Sequence, residues 1–370
     1  MNNKKFRAIG AIVLVVVWLT MTAFVWFTPD KERSDSERRQ LEQLPEFTME
    51  AFLDGSYKTA LDTYLKDQFP LRDTFRQLKG ILDVYLLNQK TDANGMFYMN
   101  GHLSQHNMVF NQESFQKRLE ILNSIYSSFI ADKNSNIYVS VIPDKNYYLS
   151  QESNFPTMDY DKIFSAMKDQ AESWGGKYID MTGSLTLDNF YTTDTHWKQE
   201  TLIPVAQLLC QAMGGKGPKA EDFTTEKIDM DFYGVWYGKA GLPVAADTLY
   251  ILRNEMLDNA IVKVDMMNAL MYDEKQLTSS DPYNIYLSGA KTGYVTIENP
   301  AVQNGKKLVV FRDSFGSSIS PLFVQDYQYV TLVDLRVLPR MSLRLVDFQD
   351  ADVLFMLSAL VLNNTSEMFL

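Results

Sequence analysis

The chain has 370 residues, is 46% apolar and 13% aromatic, and carries a formal net charge of −11. That length and apolar content suit a substantial folded core, in one large domain or two smaller ones, and exclude a mainly disordered chain. The acidic balance argues against a nucleic-acid partner, since no Lys/Arg-rich stripe with interleaved aromatics offsets it.

The first element is an uncharged run from Ala8 to Pro29 that is almost wholly apolar. A membrane-spanning helix needs roughly 20 such residues, whereas the apolar stretch of a cleavable signal peptide holds about 7–15. No small-residue cleavage motif follows; the bulky "FVWF" closes the run. Lys4, Lys5 and Arg7 precede it, which by the positive-inside rule keeps the N-terminus cytoplasmic. Residues 1–29 therefore read as a cytoplasmic tip and signal anchor, with the rest of the chain outside the cytoplasm and tethered to the membrane. The alternative is an unusually long signal peptide.

Residues 30–110 read as a linker and a helical lead-in. The stretch "TPDKERSDSERRQLEQLPEF" is charged and poor in apolar residues, with Leu41, Leu44 and Phe47 as the first side chains able to dock. The helical pattern from Phe52 to Leu87 is interrupted at Pro70, so two helices are expected to meet near Phe69–Pro70. "NGMFYMNGHLSQ" has the turn residues of a hairpin between aromatics, and places His102 and His106 in what reads as surface.

From 111 to 370 the rhythm alternates between helix and strand. "ESFQKRLEILNSIYSSFIAD" is an amphipathic helix and "NIYVSVIPDK" a buried strand running into a loop. A helix over "DYDKIFSAMKDQAESWGG" and a short strand "KYIDM" follow. Lys198–Met213 reads as another helix, stopped by Gly214–Gly215. Cys210 lies on its apolar pattern and reads as a buried, inert thiol; as the sole cysteine it has no partner for an internal disulfide. Residues 216–299 are less regular, with short β-like runs such as "TLYIL" and "NIYLS". "KKLVVFRDSFG", "YVTLVDLR" and "DVLFMLSALVL" then read as strands. This alternation points to an α/β fold with a mainly parallel sheet flanked by helices on both faces.

Two stretches carry chemistry. In "LVVFRDSFGSS" an apolar strand runs through Asp313 into Ser314 and then Gly316, a strand–turn–Ser–helix arrangement. It would hold a hydroxyl at the C-terminal edge of the sheet beside backbone N–H groups, as a nucleophile elbow does, although the G-x-S-x-G pattern is absent. In "YTTDTHWKQE", His196 stands two residues after Asp194 and just before Trp197. A serine nucleophile needs a base, and a histidine base needs an acid to fix its tautomer, so Ser314, His196 and Asp194 supply all three types. In the plainer alternatives, Asp313–Ser314 caps one helix, Asp194 or Thr195 caps another, and His196 is incidental. With three histidines and one cysteine the chain offers no metal constellation, and it has neither a P-loop nor a G-x-G-x-x-G motif.

"TTDTHW" resembles the D-x-H-W signature of the DHHW family, which is related to the SGNH-hydrolase-like proteins of alginate O-acetylation. "VVFRDSFGSSISPLF" followed by "VTLVDLR" resembles that family's serine block and the strand after it. Looser matches are "SERRQLEQLPEFT", "GSYKTALDTYLKDQFPLRDTFRQLKG" and "VIPDKNYYL". The resemblance implies an SGNH-like sheet with Ser314 as nucleophile, His196 as general acid/base and Asp194 as its orienting partner. The chain departs from the family at Thr195, where the name-giving second histidine would stand, and at Arg312, where GDS-type hydrolases have glycine. The Gly and Asn blocks that complete their oxyanion hole find no counterpart.

The implied activity is serine-dependent transfer of acetyl groups to an extracytoplasmic polysaccharide, or their hydrolysis from it, without a bound cofactor and with no CoA-binding signal. A multi-pass membrane O-acyltransferase is the implied acetyl donor partner. The rival is a non-catalytic assembly or glycan-binding subunit of a cell-surface polysaccharide modification system. Lys145 and Arg336, each after a strand at its C-terminal end, and the aromatics Trp197 and Tyr191 are expected as substrate contacts, with salt bridges and packing as their alternatives.

Overall fold

In the computed structural model, residues 3–34, 36–83, 95–106, 109–151, 157–289 and 292–364 are described. The uncharged run forms one helix, α1 (Asn3–Phe27). Its window Arg7–Phe24 is long and apolar enough to cross a membrane and is wholly unburied by the rest of the chain. The chain divides into two compact units, 1–92 with 237–244, and 93–236 with 245–370. The first unit thus ends ahead of the hairpin and takes in a short piece of the irregular region, 237–244.

In the first unit α2 (Met49–Leu53) is capped by the Thr48 hydroxyl, which accepts the Ala51 N–H at 3.1 Å. The expected break at Pro70 separates α3 (Ser56–Asp67) from α4 (Arg72–Ile81). Residues 84–87 of the expected second helix lie outside the described residues. The segment expected as a linker, with Leu41, Leu44 and Phe47 able to dock, carries a short strand pair. β1 (Arg33–Ser34) pairs antiparallel with β2 (Arg39–Gln40), and charges fasten them to the helices. Asp67 is buried and accepts both arms of the Arg39 guanidinium at 2.5 and 2.7 Å, which holds its carboxyl down at about 2. Glu37 takes Arg72 and Arg76. Leu41 is buried here, while Leu44 and Phe47 stay exposed.

The second unit opens with the expected hairpin, β3 (Met96–Met99) and β4 (His102–Gln105), turned through Asn100 and Gly101, both with positive φ. Asn94, which begins that motif, lies outside the described residues. α5 (Gln112–Ile125) leads to β5 (Asn136–Ile142), then α6 (Lys145–Gln151), α7 (Tyr160–Ser173) and β6 (Lys177–Tyr178). The helix expected from Lys198 is shorter. A 3-10 turn at Gln199–Thr201 precedes α8 (Ile203–Ala212), whose first turn holds Pro204. β7 (Thr224–Lys227) and β8 (Tyr250–Arg253) form a separate antiparallel pair.

The remaining strands are β9 (Ile261–Val264), β10 (Met267–Ala269), β11 (Tyr294–Glu298), β12 (Lys307–Arg312), β13 (Tyr329–Val333) and β14 (Asp352–Ser358). One eight-stranded sheet runs in the order β10-β9-β11-β13-β12-β14-β5-β6. From β13 to β6 every pairing is parallel. The irregular region adds an antiparallel edge of β9, β10 and β11. "NIYLS", read as β-like, instead holds the last two residues of the 3-10 turn Pro282–Ile285, then Tyr286 in an isolated bridge to Tyr272 and a turn. The run "DVLFMLSALVL" divides into β14 and a short helix, Ala359–Asn363, capped by the Ser358 hydroxyl.

Both faces of the sheet are covered, which explains its unbroken apolar strands. On β12, Leu308 and Val310 face a core shared with α8 through Val205, Ala206, Leu209 and Cys210. Val309 and Phe311 point the other way, into a core shared with α5 and α7 through Phe115, Leu122, Ile163 and Met167. The alternation follows from the two-residue period of a strand. Cys210 is fully buried, and burial raises its thiol well above the ordinary value, consistent with a packing role.

Candidate active site

β12 ends at Arg312, and the chain turns at once into the short helix Gly316–Ile319. Asp313 builds the turn. Its carboxylate accepts the Phe315 N–H at 3.0 Å and the Ser358 N–H, at the end of neighbouring β14, at 2.7 Å. The N-cap of that helix is Phe315 and no side chain caps it, so neither Asp313 nor Ser314 plays the capping role; Asp313 ties the turn and the Ser314 hydroxyl is left for other contacts. Gly316 is required by packing: a β-carbon there would stand 2.5 Å from Arg312 Cβ. Ser314 N–H has no hydrogen-bond acceptor among the described residues.

The second stretch is a closed loop. Tyr191 N–H donates to the His196 carbonyl at 3.1 Å, and Phe190 bridges Trp197. The helix after it begins only at Ile203, so neither Asp194 nor Thr195 caps it. Asp194 Oδ1 accepts the His196 N–H at 3.0 Å and its ring Nδ1–H at 2.6 Å. That bond leaves Nε2 as the acceptor, and Ser314 Oγ donates to it at 2.8 Å. Two stretches 118 residues apart in the chain thus form one linear relay, acid to imidazole to hydroxyl. Asp194 and His196 are buried and Ser314 is half-buried. Burial keeps water from competing for the imidazole and leaves the hydroxyl reachable.

The surroundings hold this relay still. Val235 N–H donates to Asp194 Oδ2 at 2.8 Å, so both carboxylate oxygens are used. The wholly buried Tyr283 ring stacks on the His196 ring, with centroids 4.0 Å apart and planes 9° from parallel. Its hydroxyl donates to Ser318 Oγ at 2.7 Å. Asp247 gathers the Thr192 and Thr193 N–H groups and the Thr193 hydroxyl, at 2.5 to 2.7 Å. Val235, Asp247 and Tyr283 all come from residues 216–299, the region with no regular pattern. Sequence reasoning missed them because each acts across a long chain separation. The glycine of "FYGVW", Gly234, was the one local signal available.

Three of the four expected substrate contacts are turned inward. Lys145 is buried, and its ammonium donates to the Leu103, Tyr191 and Thr192 carbonyls at 2.7, 2.8 and 3.2 Å. All three N–H groups are used within the fold, so Lys145 clamps the site loop in place of holding a glycan. Burial lowers its pKa to about 7, against the pull of Asp194, Asp247 and Asp144. Trp197 is fully buried and its indole N–H donates to the Phe315 carbonyl and to Ser318 Oγ, both at 2.9 Å. It ties the histidine loop to the serine turn and has no open face for a sugar. Tyr191 is fully buried against Phe232 and Tyr286. Arg336 is partly exposed, and its guanidinium is paired with Asp334 at 2.7 and 2.9 Å.

Arg312, in place of the GDS glycine, is wholly buried. It reaches Asp334 at 3.5 Å and the Thr292 hydroxyl at 3.0 Å, and burial lowers its pKa. His102, expected at the surface, is buried as well. Its Nδ1 lies 3.3 Å from the Tyr191 carbonyl, and Leu103 N–H donates to the Thr192 carbonyl at 2.9 Å. The hairpin therefore braces the site loop.

Comparison with known proteins agrees with this fold. A family model described as "DHHW protein" matches residues 37–95, ahead of both the Asp-His and the Asp-Ser stretches. No curated protein matches the sequence. A crystal structure of a DHHW family protein from Eubacterium siraeum superposes with a TM-score of 0.59 and 19% identity, covering 75% of this chain and 95% of that one. Bacillus cereus PatB1, solved with a sulfonyl adduct, gives 0.57 and 18%, covering 74% and 98%. The O-acetyltransferase domain of Pseudomonas putida AlgJ, at 0.46 and 12% with 74% and 95% covered, is too distant to support an argument. The chain thus resembles the DHHW family in sequence at residues 37–95, and it shares its fold with a solved DHHW family protein and with PatB1.

Proposed function

We propose that the protein is a membrane-anchored acyl-transfer enzyme that places acetyl groups on an extracytoplasmic polysaccharide, or removes them. The observation that carries this reading is the relay of Asp194, His196 and Ser314, with heavy-atom separations of 2.6 and 2.8 Å. Ser314 Oγ attacks the carbonyl carbon of an acetyl donor while its proton passes to His196 Nε2. Asp194 fixes the imidazole tautomer and balances the charge of the imidazolium. The Ser314 N–H is available to the developing oxyanion. Collapse expels the donor's leaving group, which takes the proton from His196 and leaves acetyl-Ser314. A sugar hydroxyl, deprotonated by His196, then attacks the acetyl-serine and restores the free serine; with water in that role the reaction is ester hydrolysis.

The apolar helix α1 supports tethering at the membrane, with Lys4, Lys5 and Arg7 keeping the N-terminus inside and the chain after Pro29 outside. A donor embedded in the same membrane, such as a multi-pass O-acyltransferase, is the partner this arrangement suits. The test is acetate release from p-nitrophenyl acetate by the full chain in detergent, beside Ser314→Ala and His196→Ala. Turnover abolished in both variants supports the reading, and turnover indifferent to both overturns it.

One observation favours a second reading, a glycan-binding or assembly subunit without chemistry. The Phe315 N–H, next to the serine, is already taken by Asp313, which narrows the oxyanion donor set. That subunit would show no turnover and no serine-dependent acyl intermediate.

A further inference from the structure

Helix α4 is amphipathic in the reverse of the usual sense. Its arginines are drawn inward: Arg72 and Arg76 both pair with Glu37, and Arg76 also donates to the Gly238 carbonyl. Gly80 is buried on the same side, where a β-carbon would stand 2.9 Å from the Gly241 carbonyl oxygen. Leu71, Phe75, Leu78 and Leu82 are 40 to 64% exposed. Their spacing sets them in one row along the helix, so the face turned away from the rest of the unit is apolar. Lys79, at the margin of this row, pairs with Asp83 at 2.7 Å. The row begins at a fixed corner. Phe69, Pro70 and Leu71 line a cavity of about 810 Å³ together with Phe24 and Thr28, at the C-terminal end of α1. The chain that follows α1 is held there. The Tyr64 hydroxyl donates to the Asp30 carboxylate at 3.1 Å, and the Gln68 side chain accepts the Lys31 N–H and donates to the Lys31 carbonyl, both at 2.9 Å. The Phe69 ring meets the Phe75 ring edge-on, with centroids 5.7 Å apart, which joins the corner to the row.

The apolar window of α1 ends at Phe24. In a membrane-spanning α1 the corner therefore stands at the boundary between acyl chains and headgroups, and α4 starts there. Leucine and phenylalanine on one face of a helix leave water favourably at that depth, while charges beside them keep to the headgroups. The bilayer meets such a corner without any further molecule being recruited. We infer that α4 lies along the outer surface of the bilayer, with Leu71, Phe75, Leu78 and Leu82 in contact with lipid, so that the first unit is seated on the membrane as well as joined to it by α1. This seating rests on the reading of α1 as a membrane anchor, and the two are measured separately.

The full chain is placed in phosphatidylcholine nanodiscs with an environment-sensitive fluorophore on a single introduced cysteine. The native Cys210 is fully buried, and the parent chain carried through the same labelling gives the background. Phosphatidylcholine bearing a nitroxide high on its acyl chain then quenches labels at that depth. Labels on Leu71→Cys, Leu78→Cys and Leu82→Cys are expected to lose about half or more of their emission, as is one on Leu19→Cys within α1. A label on Asp73→Cys, on the opposite side of α4, is expected to keep most of its own. Thermal melting shows that each variant keeps its fold. Quenching at Leu19 without quenching at both Leu78 and Leu82 overturns the seating and leaves the anchor standing. No quenching at Leu19 removes the anchor and the seating together. Quenching at Asp73 equal to that at Leu78 also overturns the seating, since a helix lying on lipid must show its own periodicity. Blue-shifted emission at Leu78 without quenching means that protein, a second copy or another partner, covers the face, and overturns the assignment to lipid.

Discussion

Gly234 lies against Asp194 so closely that a β-carbon at 234 would stand 2.2 Å from Asp194 Cβ and 2.4 Å from its Cα. Backbone atoms cannot yield as a flexible side chain would. Gly234→Ala is therefore expected to push Asp194 out of line with His196. The predicted result is at least a tenfold fall in kcat/KM for p-nitrophenyl acetate, with a stability loss of about 1–3 kcal/mol from overpacking. Turnover and urea unfolding of the same preparation check both parts.

Asp194→Asn keeps the size of the side chain and removes its charge. The amide no longer selects the Nδ1–H tautomer, so Nε2 is no longer held ready to accept the Ser314 proton. A fall on the order of 10³–10⁴ in kcat is expected, by analogy with serine enzymes in which the same change was made. Steady-state kinetics on the ester, with a thermal melt to show an intact fold, measures it.

The strand into Ser314 was legible because "LVVF" is apolar at every position, as a strand buried on both faces must be. The Asp-His pair was legible because its two members are near neighbours in the chain. Tyr283, Asp247 and Val235 were not legible: each reaches the loop from more than 40 residues away, and no periodicity marks a residue whose partner is a single distant group. Lys145 and Arg336 were placed correctly at strand ends. Between substrate contact and the salt-bridged alternative the sequence could not choose, because it does not reveal that Lys145 donates to three carbonyls and Arg336 pairs with Asp334. His102 was read from its turn neighbours, yet it turns inward beneath the Tyr191 carbonyl.

Two titratable groups, the buried His102 and the half-buried Glu200, pull stability in opposite directions with pH. Burial and Lys145 lower His102 from its ordinary 6.5 to about 4. The unfolded chain therefore takes up this proton first, and His102 costs stability as pH falls from 6.5 to 4. Burial raises Glu200 from 4.5 to about 7, so Glu200 costs stability as pH rises from 4.5 to 7. Relative to the parent, His102→Asn should make melting temperature rise less, or fall more, between pH 4.5 and 6.5. Glu200→Gln should make it rise more. Melting curves across that window decide, and slopes unchanged in both variants would contradict these assignments.

Arg312 and Asp334 are both wholly buried. Arg312→Met removes one buried charge and leaves Asp334 with Arg336 alone. A destabilisation of about 3 kcal/mol is expected, at the lower end for breaking a buried pair because Arg336 still neutralises the carboxylate. Urea unfolding measures it, and a neutral outcome would mean the pair adds nothing to stability.

In the proposed chemistry His196 activates Ser314 as a nucleophile. Its most direct test is covalent labelling of the full chain by phenylmethanesulfonyl fluoride, followed by intact mass and peptide mapping. One sulfonyl adduct on Ser314 is expected, formed at least a hundredfold more slowly in His196→Ala and absent in Ser314→Ala. Labelling elsewhere in the chain, or labelling of Ser314 at an equal rate without His196, would contradict it.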